Sequence, residues 1–156
     1  MRPALTAISL CLFVACATTK KGDVELLRPT LDAFHSRMRW KDFAQIPSQL
    51  VFEKREAFVT ASNKRDDEKN LFVTDYQLEA CDVKPDDQTI AICMSKVSWY
   101  RLPSVATKTV VVATTLKWQG GQWLIDRQSD GPFAEELSLS APAPAPAPAP
   151  AQKSTP

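Results

Sequence analysis

The chain has 156 residues, with 19 Lys and Arg against 18 Asp and Glu and a formal charge of +1. That balance excludes the strongly basic face on which nucleic-acid binding depends. A hydrophobic content of 44% with only four Gly excludes a chain too polar to fold.

At the N-terminus, Arg2 precedes an apolar run from Ala4 to Ala15. A positive start followed by about a dozen apolar residues is the pattern of a secretory signal, too short for a membrane span. The run closes with Leu12-Phe13-Val14-Ala15-Cys16, which resembles the lipobox of bacterial lipoproteins. The resemblance implies that residues 1–15 are a signal peptide cut before Cys16. The Cys16 thiol then carries a diacylglyceryl group, and the new amine is acylated. Each buried methylene contributes about 0.8 kcal/mol, so several acyl chains hold a protein on a bilayer where one does not. Cys11 does not fit the motif, because Leu10 is too bulky for the cleavage position. By the family's sorting rule an Asp after the lipidated Cys retains the protein in the inner membrane. Ala17 stands there instead, which implies the outer membrane and its periplasmic face. Loss of residues 1–15 removes Arg2 and no acid, leaving 18 basic against 18 acidic residues.

Residues 16–23 comprise the lipidated Cys and a short tether. The seven residues after Cys16 reach at most about 25 Å, which keeps the domain close to the bilayer. The folded domain is expected over 24–137, about 114 residues, enough for one core and too few for two. Its first half is helical. Leu27, Leu31, Phe34 and Met38 are spaced four, three and four apart, which is one face of an amphipathic helix. Pro29 suits the first turn, so the helix is expected from about residue 28 to Trp40. A short element from Phe43 to Leu50 is interrupted by Pro47. A third segment, Glu53 to Asp66, is expected to turn Ala57, Phe58 and Ala61 inward. It ends in the mixed-sign run Lys64-Arg65-Asp66-Asp67-Glu68-Lys69, expected to lie at a solvated surface.

The second half is sheet. Residues 71–83, 89–101, 105–118 and 122–129 are rich in Val, Thr, Ile and aromatics with partial alternation. Turn signals separate them at Pro85-Asp86, Leu102-Pro103-Ser104 and Gly120-Gly121. Two adjacent Gly can both take the positive φ of a type I′ hairpin turn. A two-residue loop there pairs Gln119 with Gln122, Trp118 with Trp123 and Leu116 with Ile125. Helices followed by a four-stranded meander make an α+β domain, with N-terminal helices packed on a curved antiparallel sheet. Long strands curve, and a curved sheet leaves room for a hollow. Residues 138–156 form a disordered Pro/Ala-rich tail. It repeats Ala-Pro five times from Ala141 to Pro150 and favours an extended polyproline conformation, about 34 Å long over the eleven residues through Ala151.

Cys81 and Cys93 flank the Pro85-Asp86 turn on neighbouring strands, and two thiols in an oxidising compartment are expected to form a structural disulfide. A three- or five-residue loop puts both on one sheet face, and a four-residue loop puts them on opposite faces. No metal site is expected, since there is no Cys-x-x-Cys and the single His is remote in sequence. No cofactor is expected either.

The opening helix ending in Trp40-Lys41-Asp42-Phe43 and the closing hairpin Lys117-Trp118-Gln119-Gly120-Gly121-Gln122-Trp123-Leu124-Ile125 resemble the nuclear-transport-factor-2-like superfamily. A cystatin-like domain is the nearest alternative. The resemblance implies a cone-shaped α+β fold that often dimerises and hosts isomerases, dehydratases, transport adaptors and non-catalytic domains. Fold alone therefore does not decide the chemistry. Enzymes of this kind carry acid-base side chains in the cone. The candidates here are Asp32 and His35, three apart on the first helix with His35 at the margin of its apolar face, and Tyr76 on a strand face with Leu78 and Ala80.

Against catalysis, no motif of firm spacing is present. Trp99, Tyr100, Arg101 and Leu102 have the composition of a recognition surface, with alternation sending Trp99 and Tyr100 to opposite faces. The expected function is therefore a non-catalytic binding or scaffolding domain. Its partner would be an envelope protein, an apolar small ligand or a second copy of the chain. The alternative is a small lyase or isomerase using Asp32, His35 and Tyr76.

Overall fold

In the computed structural model, residues 22–138 are described. The expected signal peptide over 1–15, Cys16, most of the expected tether and the Ala-Pro tail lie outside the described residues. Within them the domain is α+β, with helices packed on a four-stranded antiparallel sheet of order β1-β2-β3-β4. The strands are β1 (Leu71–Val83), β2 (Ile90–Arg101), β3 (Lys108–Gln119) and β4 (Gln122–Ser129).

The first helix, α1 (Leu27–Arg39), places Pro29 in its first turn, where the missing N–H is not needed. It stops where Lys41 adopts φ 62°, a left-handed position typical of helix ends. A 3-10 segment, Phe43–Gln49, accommodates Pro47. The second helix, α2 (Phe52–Arg65), buries Lys54, Phe58 and Ser62. Ala57 is exposed and Ala61 half-buried, contrary to the expectation that both point inward. The inward face of α2 carries a single large apolar side chain, so spacing of apolar residues misplaced it. Two short helices, α3 (Asp67–Asn70) and α4 (Ala134–Ser138), and a 3-10 turn at Val24–Leu26 are also present.

The expected stripe of α1 is the centre of the core. Leu27, Leu31, Phe34 and Met38 are all buried with Val97, Val112, Leu116 and Ile125 of the sheet in one cluster. Each such burial stabilises by about 1.5–3 kcal/mol. Phe133, just before α4, sits edge-on to Phe34, Phe43 and Phe58, with ring centroids 6.5, 6.3 and 4.9 Å away. Side chains thus fill the space between helices and sheet.

Register follows the turns. Gly120 and Gly121 have φ of 60° and 82°, and Trp118 faces Trp123 with rings T-shaped at 5.4 Å. The Lys84 N–H donates to the Ile90 carbonyl, closing a five-residue loop centred on Asp87. Cys81 therefore faces Cys93 directly, and a disulfide joins them. Bulges in β1 shift its alternation, so Tyr76, Leu78, Cys81 and Val83 pack on the core while Ala80 is exposed. β3 starts at Lys108 rather than 105, after a turn containing the cis Leu102–Pro103 bond.

Candidate functional site

The two ends of the sheet differ. One carries the β1–β2 loop and the Gly120-Gly121 hairpin, and here residues 22–26 join the domain. The Gly22 N–H donates to the Gln88 carbonyl, and the Trp123 Nε1–H donates to the Asp23 carbonyl at 2.7 Å. The other end gathers the start of β1, the end of β2, the start of β3 and α4. At about 3.3 Å per residue, the twelve residues of β2 separate the two ends by about 36 Å.

The second end holds a buried charge cluster. Asp66, at φ 50°, breaks α2 from α3 and turns Asp67 into the interior, where it is fully buried. The Asp67 carboxylate accepts from Arg65 Nη2 at 2.7 Å and from Arg101 Nε at 3.0 Å. Arg65 Nη1 also donates to Glu136 of α4, and Arg101 Nη2 donates to the Pro132 carbonyl at 3.2 Å. Asp67 was expected in a solvated run. Two of the groups that hold it or share its network, Arg101 and Glu136, lie 34 residues from Asp67 and 71 residues from Arg65. A local pattern cannot show such partners.

Beside this cluster lies an open groove of about 500 Å³, lined by Trp99, Arg101, Lys108, Gly131, Pro132 and Glu135 among others. The four expected recognition residues are divided by it. Trp99 is 8% exposed, on the core side, with Lys108 Nζ 5.0 Å and Arg101 Cζ 5.6 Å from its ring. Its Nε1–H has no hydrogen-bond partner among the described residues. Tyr100 faces the other way and stacks on Phe72 at 4.9 Å, with Lys41 Nζ over the Phe72 ring at 3.5 Å. Arg101 is held by Asp67, and Leu102 is exposed on the turn. Val105 and Trp40, the latter 77% exposed, add apolar surface at this end. Lys108 and Trp40 belong to this surface and buried Asp67 braces it from within, and none of the three was among the expected recognition residues. An exposed Trp at a helix end was the one signal available.

The acid-base candidates are placed differently. His35 is fully buried rather than at the helix margin, and its ring stacks on Tyr76 at 4.8 Å. Neither ring nitrogen has a hydrogen-bond partner among the described residues, so Asp32, half-buried one turn away, does not orient the imidazole. Burial lowers the His35 pKa from 6.5 to about 4. The Leu31 carbonyl pulls it back part of the way, although it lies outside hydrogen-bond geometry for the ring. The structure thus brings His35 and Tyr76 together, inside the core, and leaves Asp32 apart. Among the described residues, no group of three or more His, Cys, Asp or Glu is placed to hold a metal ion.

No protein-family model matches the chain, and no curated protein matches its sequence. A solution structure of a SEC-C motif containing protein from Rhodopseudomonas palustris is similar, with a TM-score of 0.54 and 13% identity. The match covers 66% of this chain and 77% of that one. At such identity the likeness concerns the fold alone.

Proposed function

We propose that the chain is an outer-membrane lipoprotein, anchored through Cys16, whose α+β domain binds a periplasmic envelope partner without catalysing a reaction. The observation that carries the binding reading is the end of the sheet opposite residue 22. There the groove beside Trp99, Arg101 and Lys108 adjoins exposed Leu102 and Val105. Aromatic and Arg side chains around apolar residues are the composition from which recognition surfaces draw their affinity. The charge cluster beneath ties α2, β2 and α4 together at this end, and a pre-ordered surface lowers the ordering cost of association.

The lyase or isomerase alternative needs a substrate to reach His35, and the packing of α1 on β1 covers that ring on every side. The test is photocrosslinking in intact cells, with Leu102→p-benzoylphenylalanine compared against the same residue at Ala57, which is exposed on α2. The proposal expects a discrete adduct at 102 that Lys108→Glu abolishes. Equal labelling at both positions, or labelling indifferent to Lys108→Glu, refutes it.

A further inference from the structure

We infer that the end of the domain where residues 22–26 enter it is a membrane-contact surface, which rests on the zwitterionic face of a phospholipid bilayer with Val24 and Leu26 in the head-group region. The inference deepens the proposed function and rests on lipidation at Cys16.

Its first support is that the chain leaves the domain at a fixed point. Gly22 is buried, and a Cβ there would overlap the Trp123 ring, so only Gly lets the backbone lie flat on the indole. The Trp123–Asp23 and Gly22–Gln88 hydrogen bonds hold both sides of that contact, and the Asp23 carboxylate accepts from the Glu25 N–H. Six residue steps separate Cys16 from Gly22, at most about 21 Å. An acyl anchor in the membrane therefore keeps this end of the sheet within about 21 Å of the surface.

The second support is the composition of that end. Val24 and Leu26 are 51% and 40% exposed on the turn that follows the tether. Leu26 also borders a groove of about 510 Å³ lined by Pro29, Ala33, Trp123 and Leu124. Apolar side chains at an interface gain by leaving water for the head-group and acyl boundary. The nearby charges do not favour anionic lipid. Asp23, Glu25, Asp86 and Asp87 stand against Arg28 and Lys84 on the domain, with Lys20 and Lys21 in the tether. Contact is thus driven by apolar burial and does not depend on net attraction to acidic head groups.

One consequence is polarity. The Trp99–Leu102 end stands about 36 Å further from the bilayer, pointing into the periplasm. The test uses the full lipidated protein in phosphatidylcholine vesicles, carrying p-benzoylphenylalanine in place of Val24 or, separately, of Leu102. Both positions are exposed, so the fold tolerates the probe. Lipid adducts, counted by mass spectrometry, are expected to be several-fold more abundant from position 24 than from 102. The ratio is expected to persist when salt is raised or phosphatidylglycerol is added. Equal yields on protein that floats with the vesicles overturn the contact surface and leave the anchor standing. Yield at 24 that appears only with phosphatidylglycerol overturns the apolar basis. A chain that does not float with vesicles overturns the anchor and the inference together.

Discussion

Lowering the pH from 7 to 5 is expected to weaken the fold through one side chain, His35. Its imidazole is fully buried, and its pKa is lowered from 6.5 to about 4. The unfolded chain takes up a proton below about 6.5, whereas the folded chain resists until about 4. Stability is therefore complete above the unfolded value and is lost as the pH falls through this window. The full gap corresponds to about 3.4 kcal/mol, and the share lost between pH 7 and pH 5 is about 1.8 kcal/mol. Surface carboxylates add their own dependence, so the comparison is with His35→Phe. That variant keeps an aromatic ring against Tyr76 and does not titrate. Urea unfolding at pH 7 and pH 5 should show the wild type losing about 1.8 kcal/mol more than the variant. An equal loss in both proteins would mean that His35 is not held neutral by burial, and the reasoning fails.

Three further predictions concern the rest of the domain. Asp67→Ala leaves Arg65 and Arg101 without their shared carboxylate. It should cost about 3 kcal/mol in denaturant unfolding, the low end for a broken buried pair because both arginines stay partly exposed; a cost below about 1 kcal/mol would place the cluster among ordinary surface pairs. Gly22→Ala forces a methyl group into the Trp123 ring and should cost about 1–3 kcal/mol, with Trp fluorescence shifted to the red as the N-terminal segment lifts. An unchanged spectrum contradicts the contact. Reduction of the Cys81–Cys93 bond, which closes a loop of sequence separation 12, should lower stability by up to about 3 kcal/mol. Melting curves identical with and without reductant would contradict that contribution.

What was legible in the sequence were the features governed by local rules. The stripe Leu27, Leu31, Phe34 and Met38 defined the buried face of α1, and Gly120-Gly121 set the pairing of the final hairpin through its positive φ values. The Cys81–Cys93 pairing depended on loop length, which the sequence left between odd and even, and the Lys84–Ile90 bond decides it. What stayed hidden depended on distant partners. Asp67 looks like a solvated acid until the ends of α2 and β2 meet α4. Phe133 lies beyond the last expected strand, and its core role depends on three phenylalanines distant in sequence. His35 was misplaced because one polar residue at the margin of an apolar stripe gives no sign that a Tyr ring will cover it. Trp99, judged by composition alone, could not be assigned to either face of the β2 end.

The central claim is a lipid-anchored domain that presents its far end to a partner, and the anchor is its foundation. The most direct measurement follows radiolabelled palmitate and membrane fractionation for the wild type and Cys16→Ser in a bacterial cell. The account predicts a labelled, membrane-bound wild type and an unlabelled variant that is not cleaved before residue 16 and carries no acyl chain. A variant still membrane-bound and processed at the same site as the wild type would contradict it.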